Sequence, residues 1–385
     1  MNKVIPLVNV SALQARKPAP LTRTDVDTDY MSRYIQTGMD FNKDLELSGK
    51  YCYHPFNTVT IDHQGRCYVC TCQAWLPISV GNILDFNSLG EIVASPRARE
   101  IQRSIIDGSY RYCDDKTCGL LIGNGLETRI EHKPDTVNWI NFCIDDSCNL
   151  QCPSCRTDLI FHKQGPEFDL RMKISNHVSK LISEHTHFLR FTLSNDGDPF
   201  ASHVYRNLMT TIAPRPVNQL EIEIVTNGIL MKSHWHELEN IYPNLTQIKV
   251  SFDAATEQTY NKTRCGGSWS KVTESTRFVA NWLVDRKAKH LNMYTKLVAN
   301  FVVQQANYHE MIDFVLLCNS IGVDQILFQK VTNWNTWIDA SGNDQYSTHA
   351  VWREAHPEYH KLKEILKNPV FRQPNVKLTN LADLL

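Results

Sequence analysis

The sequence predicts an α/β fold: a partial (β/α)6 barrel of the TIM-like kind, preceded by a small α+β domain rich in cysteine. From Val137 onward, apolar strand-like runs alternate with turn residues and with amphipathic stretches long enough for crossover helices. Six such units without a closing pair indicate a partial barrel. Ahead of them, from Tyr51 to about Leu121, short strands alternate with turns, and ten of the twelve cysteines lie between Cys52 and Cys155.

Each element follows from a local pattern of apolar and turn residues. We expect a loose arm over residues 1–30, a cluster domain over 31–135, the barrel over 136–335 and an extension over 336–385. Helices are expected near Leu89–Asp107 and over His203–Ile212, Tyr308–Ser320 and Glu358–Lys367. The predicted barrel strands are Val137–Ile144, Phe188–Ser194, Leu220–Thr226, Gln247–Phe252, Leu297–Val303 and Gln325–Gln329.

Composition excludes several classes of protein. Lys and Arg number 40 against 41 Asp and Glu, so no net field favours nucleic acid or an anionic membrane. No apolar stretch approaches the ~20 residues that span a bilayer, and Pro6 breaks the short apolar N-terminal segment, which is not a secretory signal. Clustered thiols in a long chain indicate metal binding in a reducing compartment, so we expect a cytoplasmic protein.

Three thiols at C-x3-C-x2-C spacing, Cys148, Cys152 and Cys155, follow the first predicted barrel strand. In parallel α/β barrels the reactive groups lie in the loops after the strands. A structural zinc site takes four ligands, whereas three close thiolates hold three corners of a four-iron cluster and leave one iron open. A four-thiolate zinc knuckle that includes Cys143 is the alternative.

This motif resembles the signature of the radical S-adenosylmethionine (radical SAM) family. The resemblance implies a [4Fe-4S] cluster whose open iron chelates SAM and passes it one electron. SAM is then cleaved to methionine and a 5′-deoxyadenosyl radical, which abstracts hydrogen from a substrate. It also implies an electron donor such as a flavodoxin or ferredoxin. The family often has an aromatic residue before the third cysteine, where this chain has Ser154, so a side-chain contact to adenine is in doubt there.

Further segments follow the later strands in the order that the family shows. Asn195–Phe200 is similar to the "GGE" motif, with Asp196, Gly197 and Asp198 at the expected SAM amino-group site. Thr226 and Asn227 open a "TNG" segment, and Ser251 and Asp253 could face ribose hydroxyls from one side of a strand. Ordinary Asp-Gly and Asn-Gly turns are the alternatives for the first two, and a satisfied buried hydroxyl for Ser251.

A second cysteine set precedes the barrel. Cys52, Gly65 and Cys70 form a C-x12-G-x4-C pattern that resembles the opening of SPASM and twitch auxiliary-cluster domains, and Cys113 and Cys118 complete four ligands. The resemblance implies a second [4Fe-4S] cluster, and the small number of cysteines favours the single-cluster twitch form. These domains usually follow the barrel, so the order here is reversed. Cys72 could replace Cys70, and a four-thiolate zinc site remains an alternative.

By analogy with family members that carry auxiliary clusters, we expect a peptide or protein side chain as substrate. Modification of a small metabolite or of nucleic acid is the alternative within enzymes, and the near-neutral charge weighs against nucleic acid. A zinc or iron–sulfur interaction module without catalysis is the alternative outside enzymes. The SAM-cradle segments disfavour such a module, because a scaffold has no need of them.

Overall fold

The computed structural model describes residues 44–116, 118–123, 125–128, 136–194 and 196–385, so the predicted arm lies outside the described residues. The chain divides into two compact units. The first runs to Ile144 and includes Leu170–Phe191, and the second comprises Asp145–Asp169 and Thr192–Leu385. The domain limits expected from the sequence stay a prediction.

The first unit is built on a mixed sheet in the order β5-β4-β1-β2-β3. Strand β1 pairs with β2 in antiparallel and with β4 in parallel. Gly65 makes the turn between β1 and β2 at φ +80°, where a Cβ would lie 2.8 Å from the Asn82 side chain. The five strands are β1 (Thr58–Asp62), β2 (Arg66–Tyr68), β3 (Gly81–Asn82), β4 (Trp139–Cys143) and β5 (Leu189–Leu193), and the unit boundary falls inside β5.

The predicted helical stretch near Leu89–Asp107 is two helices rather than one. Ser95 separates them because its hydroxyl caps the second helix, accepting from the Ala98 amide at 3.3 Å, and Pro96 occupies that helix's first position. The helices of this part of the chain are α1 (His54–Asn57), α2 (Leu89–Ala94), α3 (Pro96–Ile106), α4 (Gly119–Ile122) and α5 (Pro166–Glu184).

The second unit contains a parallel sheet in the order β10-β9-β8-β7-β6-β5, which does not close among the described strands. All six predicted barrel strands are present as β4–β9, with ends within two residues of those expected, so the partial α/β fold is confirmed. Strand β10 was not expected. The further strands are β6 (Leu220–Thr226), β7 (Leu245–Ser251), β8 (Lys296–Val303), β9 (Gln325–Lys330) and β10 (Val376–Lys377).

Helices link these strands, which places the carboxyl ends of β6, β7 and β8 at one edge of the sheet. The core beneath is aromatic: the Phe301 and Phe314 rings lie 4.9 Å apart, and Phe252 and Phe328 are also fully buried. No described helix has the length and apolarity to cross a membrane. The helices are α6 (His203–Thr211), α7 (Met231–His234), α8 (Glu257–Thr263), α9 (Trp269–Ala288), α10 (Met311–Ile321), α11 (Tyr346–His349) and α12 (Tyr359–Leu366).

Candidate cofactor sites

The C-x3-C-x2-C motif forms an irregular loop of the second unit. Cys148 and Cys152 are 8% and 6% exposed, whereas Cys155 is exposed. The Cys155 amide donates to the Cys152 carbonyl at 2.9 Å, which winds the end of the motif into a turn. The Gln151 amide donates to the Cys265 carbonyl at 3.0 Å and so fastens the loop to the segment after α8. The backbone thus fixes the motif from both ends.

Burial is the main influence on the two inner thiols. It raises the pKa of Cys148 to about 12, with Asp198 raising it further and Arg156 opposing the change. Burial also raises the pKa of Cys152, while Arg264 lowers it. Thiols of this kind are protonated at neutral pH without a metal, so a cluster that binds them must displace their protons.

Polar side chains point at the two buried sulfurs. The Asn227 amide nitrogen donates to the Cys148 Sγ, and the Arg264 guanidinium to the Cys152 Sγ, each at 3.7 Å. Arg264 is held by the buried Asp253 carboxylate at 2.7 Å. Hydrogen bonds to thiolate sulfur stabilise its charge and tune the potential of an iron–sulfur cluster.

Arg156 directly follows the motif, and its guanidinium interacts with the exposed third thiol, that of Cys155. Its Nη1 donates to the Asp146 carbonyl at 2.8 Å. Burial alone would lower the pKa of Arg156, but Cys155, Cys148 and Asp196 raise it well above its usual range. All three thiols of the motif therefore have a polar side chain beside them, and the two buried thiols accept a hydrogen bond from it.

Asp198 differs from its expected role. Its Oδ1 accepts from the amides of Phe200 and Ala201 at 3.1 and 3.2 Å, and its Oδ2 accepts from the Thr226 hydroxyl and the Asn227 amide at 2.8 and 2.7 Å. Four donors saturate a carboxylate. The arrangement does not support the direct contact to the SAM amino group expected from the sequence. It supports a clamp between the loops after β5 and β6.

Gly197 is required by close backbone packing. At φ +75°, its added Cβ would lie 2.6 Å from the Ser147 carbonyl and 2.8 Å from that of Asp145. The next amide, of Asp198, donates to the same Ser147 carbonyl at 2.9 Å. The turn therefore packs directly against the start of the cysteine loop. Asn195, the first residue of the predicted segment, lies outside the described residues.

Asp196 remains the more accessible acid of this turn. Its side chain is 24% exposed, and its carboxylate lies 3.8 Å from the Arg156 guanidinium. The preceding Ser194 has φ +67°, in the left-handed region that side chains seldom adopt, and its hydroxyl donates to the Asp196 carbonyl at 2.8 Å. Asp196 is thus accessible at the predicted SAM site, whereas Asp198 is buried.

The Thr226–Asn227–Gly228 segment is a hydrogen-bonded hub. The Asn227 side-chain nitrogen donates to the Asn149 side chain at 2.9 Å as well as to Cys148, and its oxygen accepts from the Ile229 amide at 3.0 Å. The Thr226 hydroxyl accepts from the Gly228 amide at 3.0 Å. Asn227 thus holds the cysteine loop, and Thr226 holds Asp198 and the turn itself. Their contact with SAM stays a prediction.

The shared strand face expected for Ser251 and Asp253 does not form, because β7 ends at Ser251 and Asp253 has φ +57°. The Asp253 Oδ1 accepts from the Val302 amide at 2.7 Å, and Oδ2 is paired with Arg264. Asp253 is 1% exposed, with partners within the chain for both carboxylate oxygens, and its contact with SAM stays a prediction. Ser251 is half-buried, and its SAM contact stays a prediction.

The predicted auxiliary ligands meet in the first unit. Burial raises the pKa of the Cys113 thiol well above its usual range, and charge on Cys52, Cys70 and Cys118 raises it further. The same electrostatic influence is found between Cys52 and Cys118, and between Cys70 and each of these two. Together with the three pairs that include Cys113, all six pairs among the four thiols interact. This proximity supports the predicted ligand set.

Two neighbouring cysteines, Cys67 and Cys72, interact less with the four predicted ligands. Cys72 influences Cys70 and Cys118, with no comparable influence resolved on Cys52 or Cys113. Cys67 is apart from the group: burial raises its pKa first, with Asp62 and Asp85 adding to the effect, and its thiol lies 3.8 Å from the Gly65 carbonyl. The arrangement favours Cys70 over Cys72 as ligand. That choice stays a prediction.

Backbone amides lie near the auxiliary sulfurs. Burial raises the pKa of the Cys118 thiol, and the nearby amides of Leu121 and Leu120 at the start of α4 oppose that rise. The His54 amide opposes the effect of burial on the pKa of Cys52 in the same way, and the Cys72 amide does so for Cys70. These amides are ready donors for bound thiolates.

The spacing of the sulfurs bears on the zinc alternatives. Zn–S bonds of about 2.3 Å in a tetrahedron bring thiolates to about 3.8 Å from one another. Within the described part of the chain, neither cysteine group contains three sulfurs that all lie within 4.8 Å of one another. A four-iron cluster gives each thiolate its own iron and holds the sulfurs further apart. The spacing of both groups is compatible with a cluster.

Arg156 and Arg264 are the site residues that the sequence prediction missed as partners of the thiols. Arg156 had a usable signal, because a cation directly after the third cysteine is placed to neutralise it. Arg264 had none, because it lies 112 residues from Cys152 and the two meet only in the folded chain.

Comparison with known proteins agrees with this chemistry. Residues 52–119 match the family model of SPASM, an iron–sulfur cluster-binding domain, with limits next to Cys52 and Cys118. A 140-residue stretch is 26% identical to GTP 3′,8-cyclase of Alkaliphilus metalliredigens. That match covers 36% of this chain and 42% of the relative, so the chain spans less than half the length of the curated relative that it matches.

Solved structures show weaker likeness. Streptococcus suis SuiB bound to the precursor peptide SuiA is 12% identical, with 63% of this chain and 47% of that chain covered and a TM-score of 0.40. The protein anSMEcpe with bound AdoMet is 16% identical, with 51% and 50% covered and a TM-score of 0.37. The SPASM and cyclase matches confirm the predicted resemblance: the chain is similar to radical SAM enzymes and carries a SPASM iron–sulfur cluster-binding domain at residues 52–119.

Proposed function

We propose that this chain is a radical SAM enzyme in which Cys148, Cys152 and Cys155 hold a [4Fe-4S] cluster that binds SAM. The observation that carries the proposal is that both buried thiols accept a side-chain hydrogen bond, from Asn227 and Arg264, and that the Arg156 guanidinium interacts with the third thiol. A loop that merely turned would not need polar side chains beside all three sulfurs. Two of these side chains are cations, which suit a thiolate-bound cluster.

Different residues of the chain would bind the clusters, position the loops and bind SAM. The three thiols would bind three irons, and the Asp198 clamp would fix the loops that carry Asn227 and Gly197 against the cysteine loop. Asp196 would be the accessible acid for the SAM amino group. SAM bound at the open iron supplies a 5′-deoxyadenosyl radical for hydrogen abstraction. Cys52, Cys70, Cys113 and Cys118 would bind a second cluster in the SPASM domain.

We propose a peptide or protein side chain as the substrate, because the chain has an auxiliary iron–sulfur domain of the kind found in peptide-modifying family members. The twelve cysteines, all within the described residues, are free thiols, which suits a reducing cytoplasm with a flavodoxin or ferredoxin as electron donor.

The similarity to GTP 3′,8-cyclase favours a second candidate, modification of a nucleotide or another small metabolite. The two candidates differ in what stimulates SAM cleavage. Anaerobic protein with SAM and dithionite should form more 5′-deoxyadenosine with its peptide substrate than without it. Stimulation by GTP, with formation of a GTP-derived product, would replace the peptide proposal with the nucleotide one.

The proposal as a whole is tested by replacing Cys148, Cys152 and Cys155 with Ala. The triple variant should form no 5′-deoxyadenosine, because no iron would remain open to SAM. Cys318→Ala is the matched control, since Cys318 is a buried thiol of helix α10 outside both groups. Undiminished product from the triple variant would refute the site. Absence of product from the parent protein as well would favour a non-catalytic iron–sulfur module.

A further inference from the structure

Tyr110 stands beside the auxiliary cysteines, and its hydroxyl proton has no acceptor in the described residues. Its side chain is 1% exposed, and its hydroxyl makes no hydrogen bond of normal geometry there. The backbone amide of Cys52 lies beside the phenol oxygen, but an amide is a donor and cannot accept the hydroxyl proton. Buried hydroxyl groups are nearly always satisfied, because an unmade bond costs the group its hydration. The Tyr110 hydroxyl therefore needs a hydrogen-bond acceptor that the described residues do not supply.

The backbone holds Tyr110 in an unfavourable conformation. Its φ is +47°, in the left-handed region that bulky residues avoid. The Tyr110 amide donates to the Ser104 carbonyl at 2.8 Å, and its carbonyl accepts from the Cys113 amide at 2.9 Å. The strained residue is thus tied to the end of α3 on one side and to a predicted cluster ligand on the other.

The side chain lies among the same thiols. Tyr110 belongs to a buried apolar group with Tyr51 and Phe56, and both Cys52 and Cys113 pack against that group. Charge on Cys52 and Cys113 also acts on the phenol, next in importance to burial. Two predicted ligands of the auxiliary cluster, Cys52 and Cys113, therefore lie near the phenol.

We propose that the Tyr110 hydroxyl donates a hydrogen bond to a sulfur of the auxiliary cluster, either a cysteine thiolate or a bridging sulfide. The inference rests on the proposed second cluster. Tyr110 is then a positioning residue that gains its acceptor only when the cluster is present. Because a donor stabilises the more negative reduced state, the bond raises the reduction potential of this cluster.

The chain offers a matched control two residues away. Tyr112 is also 1% exposed, but its hydroxyl donates to the Glu100 carboxylate at 2.8 Å. Tyr110→Phe and Tyr112→Phe each remove one buried hydroxyl and keep the ring. Only the first should change the cluster.

The test uses the full chain with Cys148, Cys152 and Cys155 replaced by Ala, so that only the auxiliary cluster contributes a signal. A redox titration followed by electron paramagnetic resonance should give a lower potential for Tyr110→Phe. The expected size is about tenfold in the equilibrium constant for reduction, or about 59 mV for one electron. Tyr112→Phe should leave the potential unchanged. Loss of iron in Tyr110→Phe alone would also support the contact.

The cluster-free protein gives an independent check. There Tyr110→Phe should unfold at the same or a higher temperature than the parent, because it removes an unsatisfied hydroxyl, whereas Tyr112→Phe should unfold at a lower one. An unchanged potential in Tyr110→Phe, or an equal fall in both variants, would overturn the role of Tyr110. A background protein that binds no iron would refute the second cluster itself, which separates the two failures.

Discussion

The two cysteine groups are built in different ways. The two buried thiols of the second unit receive side-chain donors from distant parts of the chain: Asn227 is 79 residues from Cys148, and Arg264 is 112 residues from Cys152. Among the auxiliary thiols, Cys52, Cys70 and Cys118 instead have near them the backbone amides of residues two or three positions away. The site formed by Cys148, Cys152 and Cys155 therefore depends on the folded sheet. The auxiliary site depends on local loop conformation.

This difference determines which substitutions should matter. Changes in the loops after β5, β6 and β7 should alter the Cys148 group even though they are remote in sequence. The auxiliary group should be sensitive mainly to its own cysteines and to the turns next to them. Each prediction below tests one side of that contrast.

The largest effect is expected from Gly197→Ala. The new Cβ would meet the carbonyls of Ser147 and Asp145 at 2.6 and 2.8 Å, and backbone atoms cannot move aside cheaply. The cysteine loop should be displaced, with loss of about four irons per chain and retention of the auxiliary cluster. Iron analysis of anaerobically reconstituted protein measures this. Gly165→Ala is the control, because Gly165 also has positive φ but nothing within 4 Å of its Cβ. Equal iron loss in both variants would contradict the account.

Arg264→Gln should destabilise the second unit strongly. It leaves the buried Asp253 carboxylate without its ion-pair partner at 2.7 Å, and breaking a buried pair from one side costs about 3–5 kcal/mol. The free energy of unfolding from denaturant titration of cluster-free protein measures the loss. Lys232→Gln, which breaks a solvent-exposed pair with Glu274, should leave the free energy of unfolding nearly unchanged. Similar losses in the two variants would show that Asp253 is not dependent on Arg264.

Asp198→Asn should have a smaller effect on the same measurement. One carboxylate oxygen becomes an amide nitrogen, so two of four accepted hydrogen bonds are lost at a cost of about 1.5–3 kcal/mol. The loss should occur without SAM, because the clamp lies within the chain. If the variant kept its stability and only bound SAM more weakly, in calorimetric titration of loaded protein, Asp198 would be a direct ligand as the family pattern implies.

The smallest effect is expected from Cys72→Ala. Cys70 interacts with all three of Cys52, Cys113 and Cys118, while Cys72 interacts with Cys70 and Cys118 alone. Cys72→Ala should therefore keep the auxiliary irons, and Cys70→Ala should lose them. Iron and sulfide analysis of the two variants compares them directly. The reverse result would make Cys72 the ligand.

The same contrast explains what the sequence predicts. The six strands and both cysteine groups were expected because they follow from local apolar alternation and from thiol spacing over a few residues. The Thr226 and Asn227 donors to Asp198 were not, because they depend on how the loops after β5 and β6 meet. Asp253 was misplaced for a related reason. Strand alternation was extended past Ser251, where the chain instead takes a left-handed turn and pairs with Arg264.

The central claim is that the chain holds two iron–sulfur clusters at separate sets of cysteines. Iron and acid-labile sulfide in anaerobically reconstituted protein test it most directly. The parent should contain about eight of each per chain. The Cys148, Cys152 and Cys155 triple Ala variant should contain about four, as should the variant with Cys52, Cys70, Cys113 and Cys118 replaced. A parent with about four irons and unchanged iron in one of the two variants, or one with stoichiometric zinc instead, would contradict the claim.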